Sequence, residues 1–260
     1  MKIIEVNNLS KSYKDFKAVD DISFSINKGE IVAFLGPNGA GKSTTIKMLI
    51  TVLKPSSGMI MVNGYDVLLD QNAVRKSIGI VFQDVSVDDE LTAYENMEYH
   101  AILYGIPKSH RKEKIDIMLE HVGLIERKKN LVKTFSGGMK RRLEIARGLL
   151  HEPEVLFLDE PTLGLDVQTR SFLWNHVMKL NKIKETTVFF TTHNIDEAEK
   201  AAKKIFIIDK GKIIASGTSE QIRTSTYTDS LENAFLKLTG YDIRKQSSSP
   251  MDRMRLIRKI

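Results

Sequence analysis

The chain has 260 residues, of which 42% are hydrophobic and 28% are charged. This is the composition of a globular protein with a substantial core, and it excludes a fully disordered chain, a collagen and a coiled-coil rod. The length allows one large or two small domains. Because the sequence contains no cysteine, disulfide scaffolds, thiol nucleophiles and cysteine-ligated metal sites are excluded.

The formal net charge of +6 is concentrated at the carboxyl end of the chain. Residues 241–260 hold six Lys or Arg against two Asp, a surplus of four positive charges that leaves only +2 for the first 240 residues. A nucleic-acid-binding body would carry its positive charge across a face of the domain. We therefore expect no nucleic-acid partner.

No apolar run approaches the roughly 18 residues that a membrane-spanning helix needs. The longest runs, such as Ile31–Leu35 and Val155–Leu158, have the length of strands. At the start of the chain, Glu5 stands inside what would have to be the apolar part of a signal peptide. The sequence therefore predicts a cytoplasmic protein without spans of its own.

The first 53 residues predict a small antiparallel sheet followed by a strand, a loop and a helix. Apolar residues alternate in segments 3–6 and 22–26, with turns predicted at Asn7-Asn8 and Lys28-Gly29. Ile31–Leu35 is continuously apolar and precedes a glycine-rich loop. A helix is predicted from about Lys42 to Leu53.

The rest of the chain predicts an α/β fold with a mostly parallel sheet and an inserted helical subdomain. Val155–Leu158 and Val188–Thr191 are apolar runs that follow helical segments and end in polar residues, as buried parallel strands do. Between about residues 92 and 150 the sequence is helical and charged, and breaks near Gly105 and Gly123 divide it into about three helices. Gly211 and Gly217 are predicted to flank a late hairpin.

The loop after Ile31–Leu35 contains the pattern G-x-x-x-x-G-K-S between a strand and a helix, the context of a phosphate-binding loop. Glycines let backbone N–H groups converge on phosphates, the helix N-terminus adds its positive dipole end, and Lys and Ser reach the terminal phosphates and Mg²⁺. A plain glycine-rich turn would leave the Lys-Ser pair unexplained. The candidate ATP-binding residues here are Gly36, Pro37, Asn38, Gly39, Ala40, Gly41, Lys42, Ser43 and Thr44.

Two carboxylates, Asp159 and Glu160, end the apolar run that begins at Val155. Acids at the end of a buried strand are costly unless they are paired or bind a metal. Asp159 suits Mg²⁺ coordination together with Ser43, and Glu160 suits the general base that activates the attacking water. The alternative, a strand end that merely meets solvent, is weakened by the nearby phosphate-binding loop.

Three further candidates are ambiguous when each is taken alone. His193 follows a predicted strand and could lie beside the terminal phosphate, or it could be structural. Gln83 ends a short apolar run and could orient water or complete the Mg²⁺ shell, or it could be an ordinary loop residue. Ser136-Gly137-Gly138 precedes a long basic helix with Arg141, Arg142 and Arg147, and it could be a second anion site or a simple helix cap.

Together these motifs stand in the order and spacing of the ATP-binding cassette family, which the chain resembles over about residues 1–222. The motifs are the phosphate-binding loop, Gln83, Ser136-Gly137-Gly138, Asp159-Glu160, Gly164-Leu165-Asp166 and His193. The sequence departs from the family's usual pattern at Phe135 and Leu163, and neither residue carries a phosphate-contacting or catalytic group.

The resemblance implies an ATPase that requires ATP and Mg²⁺ and works as a dimer. It implies that Tyr13 stacks on adenine, and that Glu160, His193 and Gln83 form the catalytic group. Ser136, Gly137 and Gly138 would close on the nucleotide held by a second copy of the chain or by a homologous cassette. Asp166 belongs to the loop that couples the two sites and is placed among the ATP-binding residues.

A single cassette without spans implies either a transporter subunit with a separate multi-span membrane permease, or a soluble cassette protein that acts on ribosomes or DNA. The low charge of the body favours transport. Segments 137–143, 161–166 and 231–240 resemble the prokaryotic drug-resistance and polysaccharide exporter subgroup. This implies export, with the protein held at the inner face of the cell membrane through the permease.

The predicted organisation is a cassette over residues 1–222, an extension over 223–246, and a linker with a basic tail over 247–260. In the tail, apolar residues recur every three positions and are bordered by Arg and Lys, so weak contact with an anionic membrane surface is possible. A solvated tail, or a helix packed on the partner chain, are the alternatives.

Overall fold

A computed structural model of the chain describes residues 1–240, apart from the side chains at positions 180, 183 and 184. The linker, the basic tail and the last part of the predicted extension lie outside these residues. No helix in the described part combines the length and the hydropathy that crossing a membrane requires.

Strands and helices alternate along most of the described chain. The strands are β1 Lys2–Tyr13, β2 Phe16–Asn27, β3 Ile31–Leu35, β4 Ser57–Val62, β5 Tyr65–Asp66, β6 Ile78–Val81, β7 Val155–Asp159, β8 Thr187–Thr192, β9 Lys204–Asp209 and β10 Lys212–Gly217. The helices are α1 Lys42–Leu49, α2 Gln71–Ser77, α3 Ala93–Leu103, α4 Lys108–His121, α5 Gly137–Leu149, α6 Val167–Lys184, α7 Ile195–Ala201, α8 Ser219–Thr226 and α9 Leu231–Thr239.

The first sheet is antiparallel, with the strand order β2-β1-β4-β5. The turn predicted at Asn7-Asn8 is wrong, because β1 continues through it as far as Tyr13. The pairing of β1 with β2 shifts register between Val6 and Leu9, and Asn8 has a φ of 48°. Since asparagine tolerates this left-handed conformation, it produces a bulge within the strand and not the end of one. The predicted turn at Lys28-Gly29 is confirmed, with Gly29 at a φ of 77°.

The second sheet has the order β10-β9-β3-β8-β7-β6, and all neighbours are parallel except β10 and β9. Those two form the predicted late hairpin, but Gly211 lies in its turn and not at its flank. The φ of Gly211 is 79°, and its N–H donates to the carbonyl of Ala40 at 2.9 Å. The hairpin turn thereby supports the predicted phosphate-binding loop.

The helical region lies between β6 and β7, which are neighbours in the second sheet. It contains α3, α4 and α5, as the sequence predicted, with two short 3₁₀ turns between α4 and α5. The first helix, α1, ends at Leu49 and not near Leu53. Thr51 has a φ of 65°, and the N–H groups of Val52 and Leu53 both donate to the carbonyl of Lys47 at 2.9 Å, which closes the helix end.

Two apolar layers cover the faces of the second sheet. Side chains alternate along β3, so that Ala33 and Leu35 face the layer with most of the helices while Val32 and Phe34 face the first sheet and α1. Phe24 of the first sheet packs there, with ring centroids 5.9 Å from Phe34 and 5.1 Å from Phe206. This aromatic packing joins the two sheets behind the carboxyl end of β3.

His100 of α3 is packed against two other rings at the junction of α3 with the end of α5. Its ring centroid lies 4.5 Å from that of Tyr104 and 5.5 Å from that of His151. The Nε2 atom of His100 is buried without a hydrogen-bond partner among the described residues. Burial, together with the nearby His151 and Arg147, lowers the pKa of His100 to about 3.

This environment predicts acid destabilisation. An unfolded histidine titrates near 6.5, so the unfolded state binds the proton first as the pH falls below that value, and the free energy of unfolding decreases. In the wild type the free energy of unfolding, measured by urea denaturation, should decrease between about pH 7 and pH 5. His100→Gln should make this decrease smaller by roughly 1–2 kcal/mol. His110→Gln, on the exposed side of α4, is the control. A pH dependence unchanged by His100→Gln would contradict the prediction.

Candidate functional site

The glycine-rich loop joins the carboxyl end of β3 to the N-terminus of α1, as predicted. Gly41 has a φ of 108°, and a Cβ added there would lie 2.5 Å from the carbonyl oxygen of Ala18. A Cβ at Gly36 would collide with the carbonyl of Ile208. These positions therefore require glycine, and the close approach of β2 and β9 fixes the shape of the loop.

Lys42, the first residue of α1, folds back over this loop and is only 6% exposed. Its Nζ donates to the carbonyls of Gly36 at 2.8 Å and Pro37 at 3.1 Å. It also forms an ion pair with the Glu160 Oε1 atom at 3.2 Å. These partners hold the buried ammonium at the glycine-rich loop, where it can contact an anion that binds there.

Asp159 and Ser43, the two predicted Mg²⁺ ligands on β7 and α1, lie side by side. The Ser43 hydroxyl donates to Asp159 Oδ1 at 3.1 Å, and the Thr191 hydroxyl donates to the same oxygen at 2.5 Å. Thr191 Oγ1 also accepts from the N–H of Glu160 at 3.0 Å. The sequence analysis did not identify this role of Thr191, although the residue was recognised as the end of a strand.

Glu160 is buried directly after β7 with a φ of 49°, and two side chains hold its carboxylate. One is Lys42, and the other is His193, whose Nδ1 lies 2.8 Å from Oε2. Burial alone would raise the pKa of Glu160, but His193 and Lys42 outweigh it and lower the pKa below its ordinary value. The hydrogen bond to Glu160 raises the pKa of His193. Glu160 is therefore ionised at neutral pH.

A cleft of about 340 Å³ opens in front of these groups. It brings together four separate segments of the sequence, as the predicted meeting of strand ends at one edge of the sheet requires. Its lining consists of Asn38, Gly39, Gly41, Lys42, Ser43, Thr44, Gln83, Glu160, Leu163 and His193. The positive helix end, the buried lysine and the backbone of the loop make this cleft suited to a phosphate chain.

The donors at the cleft also fit Mg²⁺. Ser43 supplies a hydroxyl, Asp159 a carboxylate and Gln83 an amide, all hard oxygen ligands. No cluster of three or more His, Asp or Glu with metal-binding geometry occurs in residues 1–240. Mg²⁺ in nucleotide sites is usually bound by one or two carboxylates together with substrate phosphates, and Ser43, Asp159 and Gln83 are ligands suited to such a site.

Nine predicted residues are not part of the cleft lining. Gly36, Pro37, Ala40 and Asp159 belong to the glycine-rich loop or to the end of β7, and the other five lie elsewhere in the chain. Tyr13 is at the end of β1, 47% exposed, with the Lys11 Nζ 5.3 Å from its ring centroid. Ser136 caps α5 by accepting from the N–H of Met139 at 3.3 Å, and Gly137 and Gly138 are the first residues of that helix. Asp166 caps α6.

The starts of α5 and α6 contact one another. A Cβ added at Gly138 would lie 2.8 Å from Thr169 Cγ2, and the Thr169 hydroxyl donates to Asp166 Oδ2 at 2.6 Å. The described chain therefore brings Ser136, Gly138 and Asp166 into one neighbourhood that is separate from its own cleft. A Cβ at Gly137, by contrast, would meet nothing within 4 Å.

Glu197 of α7 is a second residue that the sequence analysis missed. Its buried carboxylate accepts from the hydroxyls of Thr162 at 2.6 Å and Thr192 at 2.5 Å, and from Trp174 Nε1 at 2.8 Å. These bonds connect the segment after β7 with the last residue of β8 and with α6. A glutamate one helical turn after His193 was the available signal.

The sequence of the chain matches the ABC transporter family over residues 19–163, more than half of its length. The chain belongs to the ABC transporter family. This confirms the resemblance that the motifs predicted, and with it the prediction that the cassette is an ATPase.

Relatives extend the similarity beyond the matched region. The linearmycin resistance ATP-binding protein LnrL of Bacillus subtilis (strain 168) is 42% identical over 220 residues, covering 85% of this chain and 70% of LnrL. The daunorubicin/doxorubicin resistance ATP-binding protein DrrA of Streptomyces peucetius is 41% identical over 248 residues, covering 95% of this chain and 73% of DrrA.

Solved structures confirm the fold class. An ATP-binding subunit of an ABC transporter superposes with a TM-score of 0.83 at 30% identity, covering 91% of this chain and 99% of that one. The cassette MJ0796, in a dimeric post-hydrolysis state bound to ADP and Pi, has a TM-score of 0.76 at 28% identity, covering 83% of this chain and 98% of that one. The cassette described here therefore has the fold of an ABC ATPase.

The position of Thr191 predicts a specific defect. Thr191→Val removes one of the two hydroxyl hydrogen bonds to Asp159 Oδ1 and leaves the Glu160 N–H without its partner, which should lower the free energy of unfolding by about 1–3 kcal/mol. ATP turnover should fall about tenfold or more, because Asp159 is no longer held in place.

Thr187→Val is the matched control, since the hydroxyl of Thr187 lies on the same strand but accepts from the N–H of Gly29, at the other end of β8. Turnover of both variants is measured at a temperature where both are folded. Equal turnover in the two would show that the Thr191 hydroxyl has no role at the site.

Proposed function

We propose that this cassette hydrolyses ATP in the cleft described above and uses the energy for export through a separate membrane permease. The observation that supports hydrolysis is the buried Glu160 carboxylate, 3.2 Å from the Lys42 ammonium at the mouth of a glycine-rich loop. Export is supported by the similarity to the two resistance proteins over most of the chain.

The residues around the cleft have separate tasks in this proposal. Backbone N–H groups of residues 36–44 and Lys42 bind the phosphates, and Tyr13 stacks on the adenine. Ser43, Asp159 and Gln83 hold Mg²⁺, which neutralises charge on the terminal phosphates when bound. Lys42 must then exchange its bond with Glu160 for bonds to phosphate.

That exchange leaves Glu160 as an ionised base beside the terminal phosphate. Its carboxylate accepts a proton from water, and His193 stays within 2.8 Å to orient it. The lowered pKa of Glu160 keeps it deprotonated at neutral pH. In the nucleotide-free chain the same carboxylate is paired with the Lys42 ammonium and bonded to His193, so the base is released only when phosphate replaces it as the partner of Lys42.

A second cassette completes the site. Ser136, Gly137, Gly138 and Asp166 lie apart from the cleft of their own chain, and their helix N-termini offer a second place for an anion. We place them against the nucleotide held by a second copy of the chain or a homologous cassette. The dimeric MJ0796 structure, which resembles this fold, supports such an arrangement.

The permease would hold the cassette at the cytoplasmic face of the membrane. The basic tail would add at most a weak contact with that surface. The alternative function, a soluble cassette protein acting on ribosomes or DNA, receives no support from the family match or from the relatives named above. Identifying a membrane protein that co-purifies with the chain tests the assignment, and co-purification with ribosomes would contradict it.

Separate variants should distinguish binding from catalysis. Glu160→Gln should bind ATP at least as tightly as the wild type, because Lys42 loses its competing carboxylate, but turnover should fall at least about a hundredfold. Lys42→Ala should lose affinity for ATP, since it removes the positive charge that would contact the phosphates.

Equilibrium binding and single-turnover hydrolysis are measured for each variant. Lys47→Ala, on the same helix but away from the cleft lining, is the control for Lys42→Ala. Near-normal turnover by Glu160→Gln would assign the base to another group.

The shared site predicts complementation between two inactive variants. Gly137→Asp should fold normally, because its Cβ meets open space and an acid is favourable in the first turn of a helix. In a dimer its charge would repel the partner's nucleotide. An equal mixture with Lys42→Ala should recover up to about a quarter of wild-type turnover, since half of the dimers would have one intact site.

Mixing Lys42→Ala with a chain that carries both substitutions is the control, because no complete site can form. Failure to recover activity, once mixed dimers are demonstrated, would contradict the shared site.

A further inference from the structure

Arg141 of α5 is buried in the middle of the site's supporting backbone and is only 5% exposed. The sequence placed Arg141 on a basic helix and assigned its side chain no role, and the structure turns this side chain inward. Its Nε donates to the carbonyl of Pro161 at 2.8 Å, and its Nη2 donates to the carbonyls of Asp159 at 3.2 Å and Glu160 at 3.3 Å. Arg141 thus binds the backbone at the carboxyl end of β7.

The remaining donors of the guanidinium reach a second strand. Nη1 donates to the carbonyl of Phe82, directly before Gln83, and to Glu144 Oε2 at 3.1 Å. A guanidinium has five N–H donors in a rigid plane, and here five acceptors match them. One side chain therefore links α5 to the ends of both β6 and β7.

Two more residues on the same face of α5 extend this connection along the loop after Gln83. Glu144 Oε1 accepts from the N–H of Ser86 at 2.6 Å and from its hydroxyl at 2.9 Å. Arg147 donates to the carbonyl of Ser86 at 2.9 Å and also contacts its hydroxyl. The spacing of three residues places Arg141, Glu144 and Arg147 in one row.

We infer that Arg141 is a positioning residue that holds Gln83, Asp159 and Glu160 in register with one another and with the start of α5. The inference rests on the proposed roles of those three residues. It follows from the geometry, because Arg141 bonds the main chain of Asp159 and Glu160 themselves and of the residue before Gln83. A movement of α5, which begins with Gly137, would thereby be transmitted both to Gln83 and to the Asp159-Glu160 pair.

Lysine cannot replace arginine in this role. An ammonium has three donors on a single atom and cannot span acceptors on two strands in one plane. Arg141→Lys keeps the positive charge beside Glu144 but loses part of the link to the carbonyls. The phosphate-binding loop, which Arg141 does not contact, should be unaffected.

The matched control is Arg142→Lys on the same helix. Arg142 is half-buried, donates to the carbonyl of Val122 at 2.8 Å and lies over the ring of Phe172 at 4.9 Å. It has the same chemistry and a similar structural role, but it touches no residue of the cleft.

The test is steady-state ATP hydrolysis by the full-length protein, as a function of ATP and of Mg²⁺, at a temperature where circular dichroism shows each variant folded. Arg141→Lys should lower kcat about tenfold to a hundredfold and leave the KM for ATP within about threefold. The Mg²⁺ concentration for half-maximal turnover should rise several-fold, because Gln83 and Asp159 are displaced. Arg142→Lys should change none of these values.

If Arg141→Lys fails to fold, Glu144→Gln provides the same test, since it weakens the acceptor of Nη1 and changes no group in the cleft. It should give a smaller decrease in kcat with the same rise in the Mg²⁺ requirement. Normal kcat and Mg²⁺ dependence in the variant that folds would overturn the inference. Glu160→Gln, assayed in parallel, separates this result from failure of the proposed function: an active Glu160→Gln variant refutes the assigned base, whatever Arg141→Lys does.

Discussion

The structure depends on the pairing of buried charges at the carboxyl edge of the parallel sheet. Lys42, Asp159 and Glu160 are each less than 10% exposed, the first at the start of α1, the second at the end of β7 and the third directly after it. An unpaired charge in such a place costs several kcal/mol, so each needs a partner in the folded chain. The bonds among Lys42, Glu160, His193, Ser43 and Thr191 satisfy this requirement before any nucleotide is present. The same groups become a binding site when a triphosphate offers better partners.

This pairing explains why the base is inactive without nucleotide and becomes active when nucleotide binds. Glu160 is ionised but paired with Lys42 and bonded to His193, so it is a poor base until Lys42 is drawn away. A phosphate chain has more negative charge than one carboxylate, and the loop and helix end add N–H donors for it. Binding and activation of the base are therefore linked through a single lysine.

The helical subdomain is connected to this edge through side chains directed at backbone, not through side chains of the site. Arg141 reaches the carbonyls of Phe82, Asp159 and Glu160, and Arg147 reaches the carbonyl of Ser86. Such contacts do not depend on the identity of the residues they hold. They are invisible to motif reasoning for the same reason.

The sequence by itself determined the fold class, the strands β3, β7 and β8 of the second sheet, its late hairpin, the three inserted helices and most of the residues that line the cleft. It could do so because glycine spacing, apolar runs and acids at strand ends are local patterns, and parallel strands end at one edge of a sheet. Local patterns failed at Asn7-Asn8, at the end of α1 and at Gly211, where cross-strand pairing or a left-handed residue decided the geometry. Only the tertiary structure showed that Arg141 faces inward, that Thr191 holds Asp159, and that Ser136 and Asp166 lie away from the cleft of their own chain. These facts depend on contacts between distant residues, such as Arg141 with Asp159 at a separation of 18 positions and Thr191 with Asp159 at a separation of 32. No pattern within a short segment of sequence encodes such contacts.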